Sequence, residues 1–343
     1  MNSISFHILP CMLALPTFLL SCSNHDEPMP AHEGCRIKAD ASILAHNEDS
    51  RAIIYGTDFP VNGTVGLFLC RHEDGEPSEF VAQSVFNNVC MTRISDGWNF
   101  IFEGTSDPVE DLYITENKEN TNVDIYAYSP WWSGTKRPDK IYFDRQHWMD
   151  YDYMYAIENS SNTNKDIKPE NGKDHTITLH FKHIFCLIRI GMKARYATTV
   201  ASNRNILSDV KFEIINKDAV TKIQTAGYFN ALTGEVYDCN SLTTLSVSTG
   251  LGFSNSNFSY TDIKFTPTEV EDDALCMHFY LNGTEHPQSY VIKASDVLHS
   301  DGVTRGFKSG YIYTFNFIFD NYVRLDNVQI DDDWETDEKN YIF

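Results

Sequence analysis

The sequence predicts an all-β protein built from β-sandwiches, and three observations carry that expectation. Short apolar or alternating runs recur along the chain. Gly, Pro, Asn, Asp and Ser separate them. No segment keeps a 3.6-residue apolar period over three turns. Runs of this kind, bounded by turn residues, pack as sheet on sheet. The 343 residues allow about two globular domains. Hydrophobic residues make up 42% and aromatics 13%, enough apolar material to bury a sizeable core.

The strand candidates are 65–70, 98–102, 123–128, 177–192, 210–215, 263–266, 276–281 and 311–319. The clearest is 311–320, YIYTFNFIFD. Its odd positions, Tyr311, Tyr313, Phe315, Phe317 and Phe319, are all aromatic, while its even positions are Ile, Thr, Asn, Ile and Asp. Period two puts the aromatics on one face, buried against a second sheet. The polar, Asn-rich stretch 158–175, broken by Pro169 and Gly172, reads as the linker. It sets an N-terminal domain over 52–172 and a C-terminal domain over 173–343.

Charge excludes some partners. There are 48 acidic residues against 27 basic, a formal net charge of −21. Such a surface repels phosphate backbones and offers no polybasic patch to anionic lipid, so no nucleic-acid partner is expected. After the N-terminus no run is long and apolar enough for a spanning helix.

Residues 1–22 read MNSISFHILPCMLALPTFLLSC. The apolar stretch has the length of a signal-peptide core. Its ending, Leu19-Leu20-Ser21-Cys22, resembles a bacterial lipobox, although the first seven residues hold no Lys or Arg. The resemblance implies a signal peptide over 1–21 and acylation of Cys22, a lipid anchor for an otherwise acidic protein. Cys11 leaves with the signal. Cys35, Cys70, Cys90, Cys186, Cys239 and Cys276 remain, and their pairing stays open. Cys70, Cys90, Cys186 and Cys276 sit among apolar residues and read as buried thiols.

Residues 36–45, RIKADASILA, place Ile37, Ala39, Ala41, Ile43 and Ala45 on one parity and Arg36, Lys38, Asp40 and Ser42 on the other. This is an amphipathic strand with one buried face. The polar segment 46–50 follows, then Arg51 and Ala52, a place where a protease finds exposed chain.

Four stretches carry a family resemblance. They are DIYAYSPW over 124–131, YDYMYA over 151–156, LHFKHIFCLI over 179–188, and GYIYTF over 310–315 with Ile330 and Trp334 beyond it. In this order they resemble the fimbrillin family of Bacteroidales pilins. The resemblance implies two transthyretin-like β-sandwich domains in tandem and export to the outer membrane as a lipoprotein. It also implies cleavage by an Arg-specific protease, here between Arg51 and Ala52. Residues 22–51 would then be a lipidated propeptide. Strand exchange with other fimbrial subunits would follow, in the service of adhesion to a host or bacterial surface glycan or protein. A donor strand would be terminal and unpaired, and 321–343 is its candidate.

Catalytic and metal chemistry find no support. H-E-x-x-H, G-x-S-x-G, a Walker loop, EF-hand spacing and C-x-x-C are all missing. The sequence therefore predicts no enzyme, cofactor or metal site. His180 and His183 lie three apart in one strand and face opposite ways. His183 shares parity with Leu179, Phe181 and Phe185 and reads as a hydrogen-bonded core histidine. Asp331–Asp333 reads as a solvated acidic turn. Trp131, Trp132 and Trp148, with Tyr151, Tyr153 and Tyr155 nearby, are either packing residues or a sugar-stacking surface. The second of these supports an alternative function, a surface glycan-binding lipoprotein that never polymerises. A hydrolase would need two positioned carboxylates.

Overall fold

The computed structural model describes residues 34–46, 53–59, 61–72, 87–102, 108–109, 111–114, 122–144, 152–157, 164–170, 172–196, 205–282 and 286–331. The first half holds β1 (Cys35–His46), β2 (Ile53–Asp58), β3 (Thr64–Arg71), β4 (Asn87–Ile94), β5 (Gly97–Ile101), β6 (Leu112–Ile114), β7 (Val123–Ser129), β8 (Ile141–Asp144), β9 (Met154–Ile157) and β10 (Asp174–His183). The second half holds β11 (Cys186–Ala194), β12 (Ile206–Ile214), β13 (Ile223–Phe229), β14 (Val236–Leu242), β15 (Thr244–Gly252), β16 (Ser259–Phe265), β17 (Thr268–Glu269), β18 (Leu275–Leu281), β19 (Gln288–Ile292), β20 (Gly306–Phe307), β21 (Ile312–Phe319) and β22 (Val323–Asp331). Among the described residues the one helical element is a 3₁₀ turn, Ala294–Val297. The fold is all-β, as the period-two patterning requires.

A nine-stranded sheet runs β2-β1-β10-β9-β7-β3-β4-β5, with β6 added on β1. Phe59 stacks edge-on to Phe181 of β10 at 5.0 Å and to Trp98 of β5 at 5.6 Å. Strands from opposite arms of the sheet therefore meet over one core, which also holds Ile37, Ile43, Leu67, Leu69, Val89, Met91, Ile125, Leu179 and Phe181. The second half contributes two four-stranded sheets, β16-β11-β21-β22 and β15-β12-β18-β19, packed over a core that includes Ile188, Ile190, Phe212, Phe279, Phe315 and Phe317.

The two halves are joined by more than a linker. β7 is buried along its whole length. Ile125 and Ala127 face the first core, while Tyr126 and Tyr128 face the second. This is what the Tyr-Ala-Tyr alternation encodes: a strand wetted on neither side. β8 leaves the first half to pair with β13 in a three-stranded sheet, β14-β13-β8.

The polar stretch 158–175 does not separate two sets of strands. Ile167 is buried and exchanges backbone hydrogen bonds with Val123 at 2.8 and 2.9 Å. The Asp166 amide donates to Asp124 Oδ1 at 2.8 Å. β10, beyond the stretch, pairs with β1 and β9. The passage between cores occurs instead at Ile184 and Phe185, where the expected run 177–192 breaks into β10 and β11. The backbone here is stitched to β7, and Asn164 Nδ2 adds a bond to the Ile125 carbonyl at 3.3 Å; composition alone reads this as solvent exposure.

The 311–320 strand lies between β11 and β22. Tyr313, Phe315 and Phe317 are fully buried, as alternation requires, but Ile312, Thr314 and Asn316 are buried as well. Close strand approach explains part of this. A Cβ on Gly191 of β11 would fall 2.2 Å from Asn316 Oδ1 and 2.7 Å from the Tyr260 ring. The six described cysteines are free thiols, and Cys70, Cys90, Cys186 and Cys276 are buried.

His183 is buried, and its Nδ1 lies 2.7 Å from Asp152 Oδ2, also buried. Breaking one partner of a buried pair leaves a stranded polar group, at a cost of about 3–5 kcal/mol. Asp152→Ala is expected to destabilise the chain by about that amount in urea unfolding. The apolar double replacement Asp152→Leu with His183→Phe is expected to recover most of the loss. Equal losses in both variants would show that packing, not the pair, governs this position.

Candidate functional site

β1 carries the strongest functional expectation, and its surroundings are defined along both edges. On one side it runs parallel to β10 in unbroken register, from Arg36 opposite Asp174 to Ile43 opposite Phe181. On the other side β6 covers Cys35–Ile37 and β2 covers Ser42–His46. β1 is thus the second strand from the sheet edge, and β2 is the edge.

The amphipathic parity is realised. Cys35, Ile37, Ala41 and Ile43 are buried in the first core, while Lys38 and Asp40 are exposed. Ile37 and Ile43 are each only 1% exposed, worth roughly 1.5–3 kcal/mol apiece in apolar burial. The polar face is clamped by charge. Arg36 Nε donates to Asp111 Oδ1 at 2.7 Å, and Lys38 Nζ lies 2.5 Å from Asp174 Oδ2. These pairs are half exposed and contribute modestly. Ser42 Oγ lies 3.0 Å from His180 Nδ1, and burial holds the His180 pKa below its ordinary value, with the charge of Asp40 acting the other way.

Without β1, β10 would lose eight paired residues along one edge, and Ile177, Leu179 and Phe181 would lose their cover. An unpaired edge beside an uncovered apolar groove is the geometry that accepts an added strand. β2 is paired only with β1 among the described residues, so it would lose that pairing while staying part of the chain.

The C-terminal candidate differs from expectation. Val323–Asp331 is not unpaired: it forms β22, antiparallel to β21, at the open edge of its sheet. Val323, Leu325, Val328 and Ile330 pack against the second core. Their parity changes between Leu325 and Val328 because a bulge between Asn316 and Phe317 shifts the register and leaves Asp326 as the extra residue. Trp334, Tyr341, Ile342 and Phe343 lie outside the described residues, as do Cys22, Arg51, Ala52 and Trp148.

Of the expected tryptophans, Trp131 and Trp132 lie among the described residues. Trp131 is half-buried after the cis Ser129–Pro130 bond, and its indole N–H donates to the Asn88 carbonyl at 3.0 Å. The Trp132 backbone is tied to Tyr128 Oη and Asn88, while its ring is 45% exposed. Tyr153 is buried in the second core. His180 and His183 do point apart, to Ser42 and Asp152. The Ser42–His180 contact escaped sequence reading, since nothing local announces a partner so distant in the chain.

A family model described as fimbrillin-like matches residues 50–334. Among solved structures, a Bacteroides ovatus ATCC 8483 protein assigned to cell adhesion superposes with a TM-score of 0.56 at 15% identity, covering 88% of this chain and 98% of that one. A Bacteroides uniformis ATCC 8492 protein, likewise assigned to cell adhesion, gives 0.53 at 15% identity, with 89% and 98% covered. These two likenesses bear on the fold. No curated protein matches the chain.

A state with β1 detached returns His180 to its ordinary pKa and takes up a proton more readily, so acid favours detachment. Hydrogen-exchange protection of β1 is therefore expected to fall as pH drops through 6.5, the ordinary histidine value. Substituting His180→Gln is expected to flatten that dependence. Protection independent of pH in the unmodified chain would rule out the coupling.

Proposed function

The chain belongs to the fimbrillin-like family, and from that premise we propose that it is the precursor of a fimbrial subunit acting in cell adhesion. It is exported as a lipoprotein through Cys22, matured by cleavage between Arg51 and Ala52, and assembled by strand exchange. Residues 52–183 form the acceptor domain. The second domain begins at Cys186, where the chain changes core, rather than at 173.

The observation that carries the reading is the placement of β1. It buries one apolar face, it completes one edge of β10, and the proposed cut falls in the connection directly after it. Proteolysis there turns a tethered strand into a separate peptide, and the high effective concentration supplied by the chain is lost. A strand offered by a neighbouring copy restores the lost hydrogen bonds and covers the groove. Each copy gives at one end and receives at the other, so the contact is head-to-tail and propagates into a filament.

The acceptor also constrains the donor. The β1–β10 register runs without interruption over eight residues, whereas β22 carries a bulge of its own at Asp326 against a continuous β21. β22 presents all four apolar residues to a continuous partner only while Asp326 stays bulged out. In the β10 groove it either keeps that bulge or fits by one half, or the donor lies in 332–343, where Tyr341, Ile342 and Phe343 supply apolar side chains.

Treating the purified precursor with an Arg-specific protease is expected to give a new N-terminus at Ala52 by intact mass, and filaments by electron microscopy. Arg51→Ala is expected to block both. A protease-treated chain that is cut at Ala52 yet stays monomeric would sink strand exchange, and a chain left uncut would sink the maturation step.

A further inference from the structure

Away from β1, a cleft of about 620 Å³ opens where β10, the 233–235 turn, the 267–269 segment and the 304–311 loop meet. No described residue of β1 or β22 lines it, although Lys182 lies on β10 one residue beyond the β1 register. Its volume falls within the range of small-ligand pockets.

Its charge is at odds with the rest of the molecule. In a chain with a net charge of −21, Lys182, Arg305 and Lys308 all line this one cleft. Lys182 is half-buried, and its stem passes over Gly310, where a Cβ would stand 3.4 Å from Lys182 Cε. Among the described residues it makes no ion pair. Burial, and after it the like charge of Lys308, hold its pKa below the ordinary lysine value. Lys308 reaches Asp301 at 3.7 Å, a solvent-screened contact, and lies 5.8 Å from the Tyr311 ring centre. Two lysines lining one cleft, one of them with no ion pair among the described residues, favour an anion there.

The remaining walls select the kind of anion. Tyr155 and Tyr311 present partly exposed rings, and Glu235, Glu269, Thr233 and Thr304 add acceptors and hydroxyls. Two carboxylates repel a multiply charged phosphate or sulfate. They suit a ligand with one negative group and several hydroxyls, and aromatic rings beside them offer stacking faces.

The walls are fixed in advance. Ser309 Oγ donates to the Ile184 carbonyl at 3.0 Å, the Gly310 amide to Phe185 at 2.8 Å, and the Lys308 amide to Tyr313 Oη at 2.7 Å. Gly234 has φ +74°, and a Cβ there would fall 2.3 Å from the Tyr155 ring, so a bare turn seats that ring. A site held this way loses little freedom on binding.

We propose that this cleft binds an acidic sugar, its carboxylate on the Lys182–Lys308 side and its ring against Tyr311 and Tyr155. Titration calorimetry on the unprocessed full chain tests it with three probes: a galacturonic acid trisaccharide, the matching neutral galactose trisaccharide, and a tripeptide with a free C-terminal carboxylate. The acidic sugar is expected to bind at least about tenfold more tightly than either other probe. Lys182→Gln with Lys308→Gln is expected to lose about tenfold or more, with an unchanged melting temperature. Exposed Arg305→Gln, which removes no packing, is expected to weaken binding by a smaller factor. Equal binding of the neutral sugar, preference for the peptide, no binding of the acidic sugar, or undiminished affinity in both variants would each overturn the assignment. Filament formation is not read in this experiment, so its outcome leaves strand exchange untouched.

Discussion

The first half of the molecule is organised around the parallel pairing of β1 with β10. A parallel pair cannot close through a tight turn, and here the intervening chain is every strand from β2 to β9. All of those strands except β8 form the rest of the same sheet, which curls until Phe59 bridges Phe181 and Trp98. The opening strand therefore closes the core that the later strands build. Such a long-range contact forms late and at high entropic cost. It is also easily forfeited, because β1 is tied to the rest of the chain at one end of its sequence by a short polar connection. A strand with these properties is suited to leaving.

What the sequence disclosed, and what it withheld, follows from the reach of each interaction. Parity within a strand is local, so the buried faces of 36–45 and 311–320 were readable, as was the opposed pointing of His180 and His183. Pairing is not local. Nothing in RIKADASI names ITLHF as its neighbour, and Ser42 opposite His180 emerges only from register. The stretch 158–175 misled for a related reason: Asn164 is polar because its side-chain amide bonds to the Ile125 carbonyl of β7, not because it faces water. The mixed parity of 323–330 was visible, but its cause, Asp326 left unpaired in the ladder, emerges only from the register with β21. The cationic cleft assembles from five separated segments, none of which has a pattern of its own.

Aromatic residues do two kinds of work here. Tyr126, Tyr128, Tyr153, Phe143, Phe185 and Phe229 belong to a continuous cluster that couples the halves across β7 and β8. Edge-to-face contacts such as Phe143–Phe185 at 5.5 Å and Tyr153–Phe185 at 5.9 Å each add about 0.5–1.5 kcal/mol beyond area burial. Trp131 joins this structural set through its bond to Asn88. Aromatic density near 126–155 therefore marks the seam between domains, and the rings left partly open at its margin, Tyr155 and Tyr311, are the ones that flank the cleft.

Electrostatics narrows the identity of any strand that replaces β1. Its polar face brings Arg36 to Asp111 and Lys38 to Asp174, two cations set against two fixed carboxylates. A donor that carried acids at those positions would put like charges side by side on an already acidic molecule, at a cost that low salt enlarges. Asp331-Asp332-Asp333 is such a run. If the chain's own tail is the donor, the apolar requirement of the groove and the charge requirement of its rim must be met together. The tail must then be placed so that this acidic run lies beyond the ends of β10 and away from Asp174. Shape alone leaves several registers open to an alternating strand, since a slip of two residues preserves which face is apolar. The paired carboxylates distinguish among those registers.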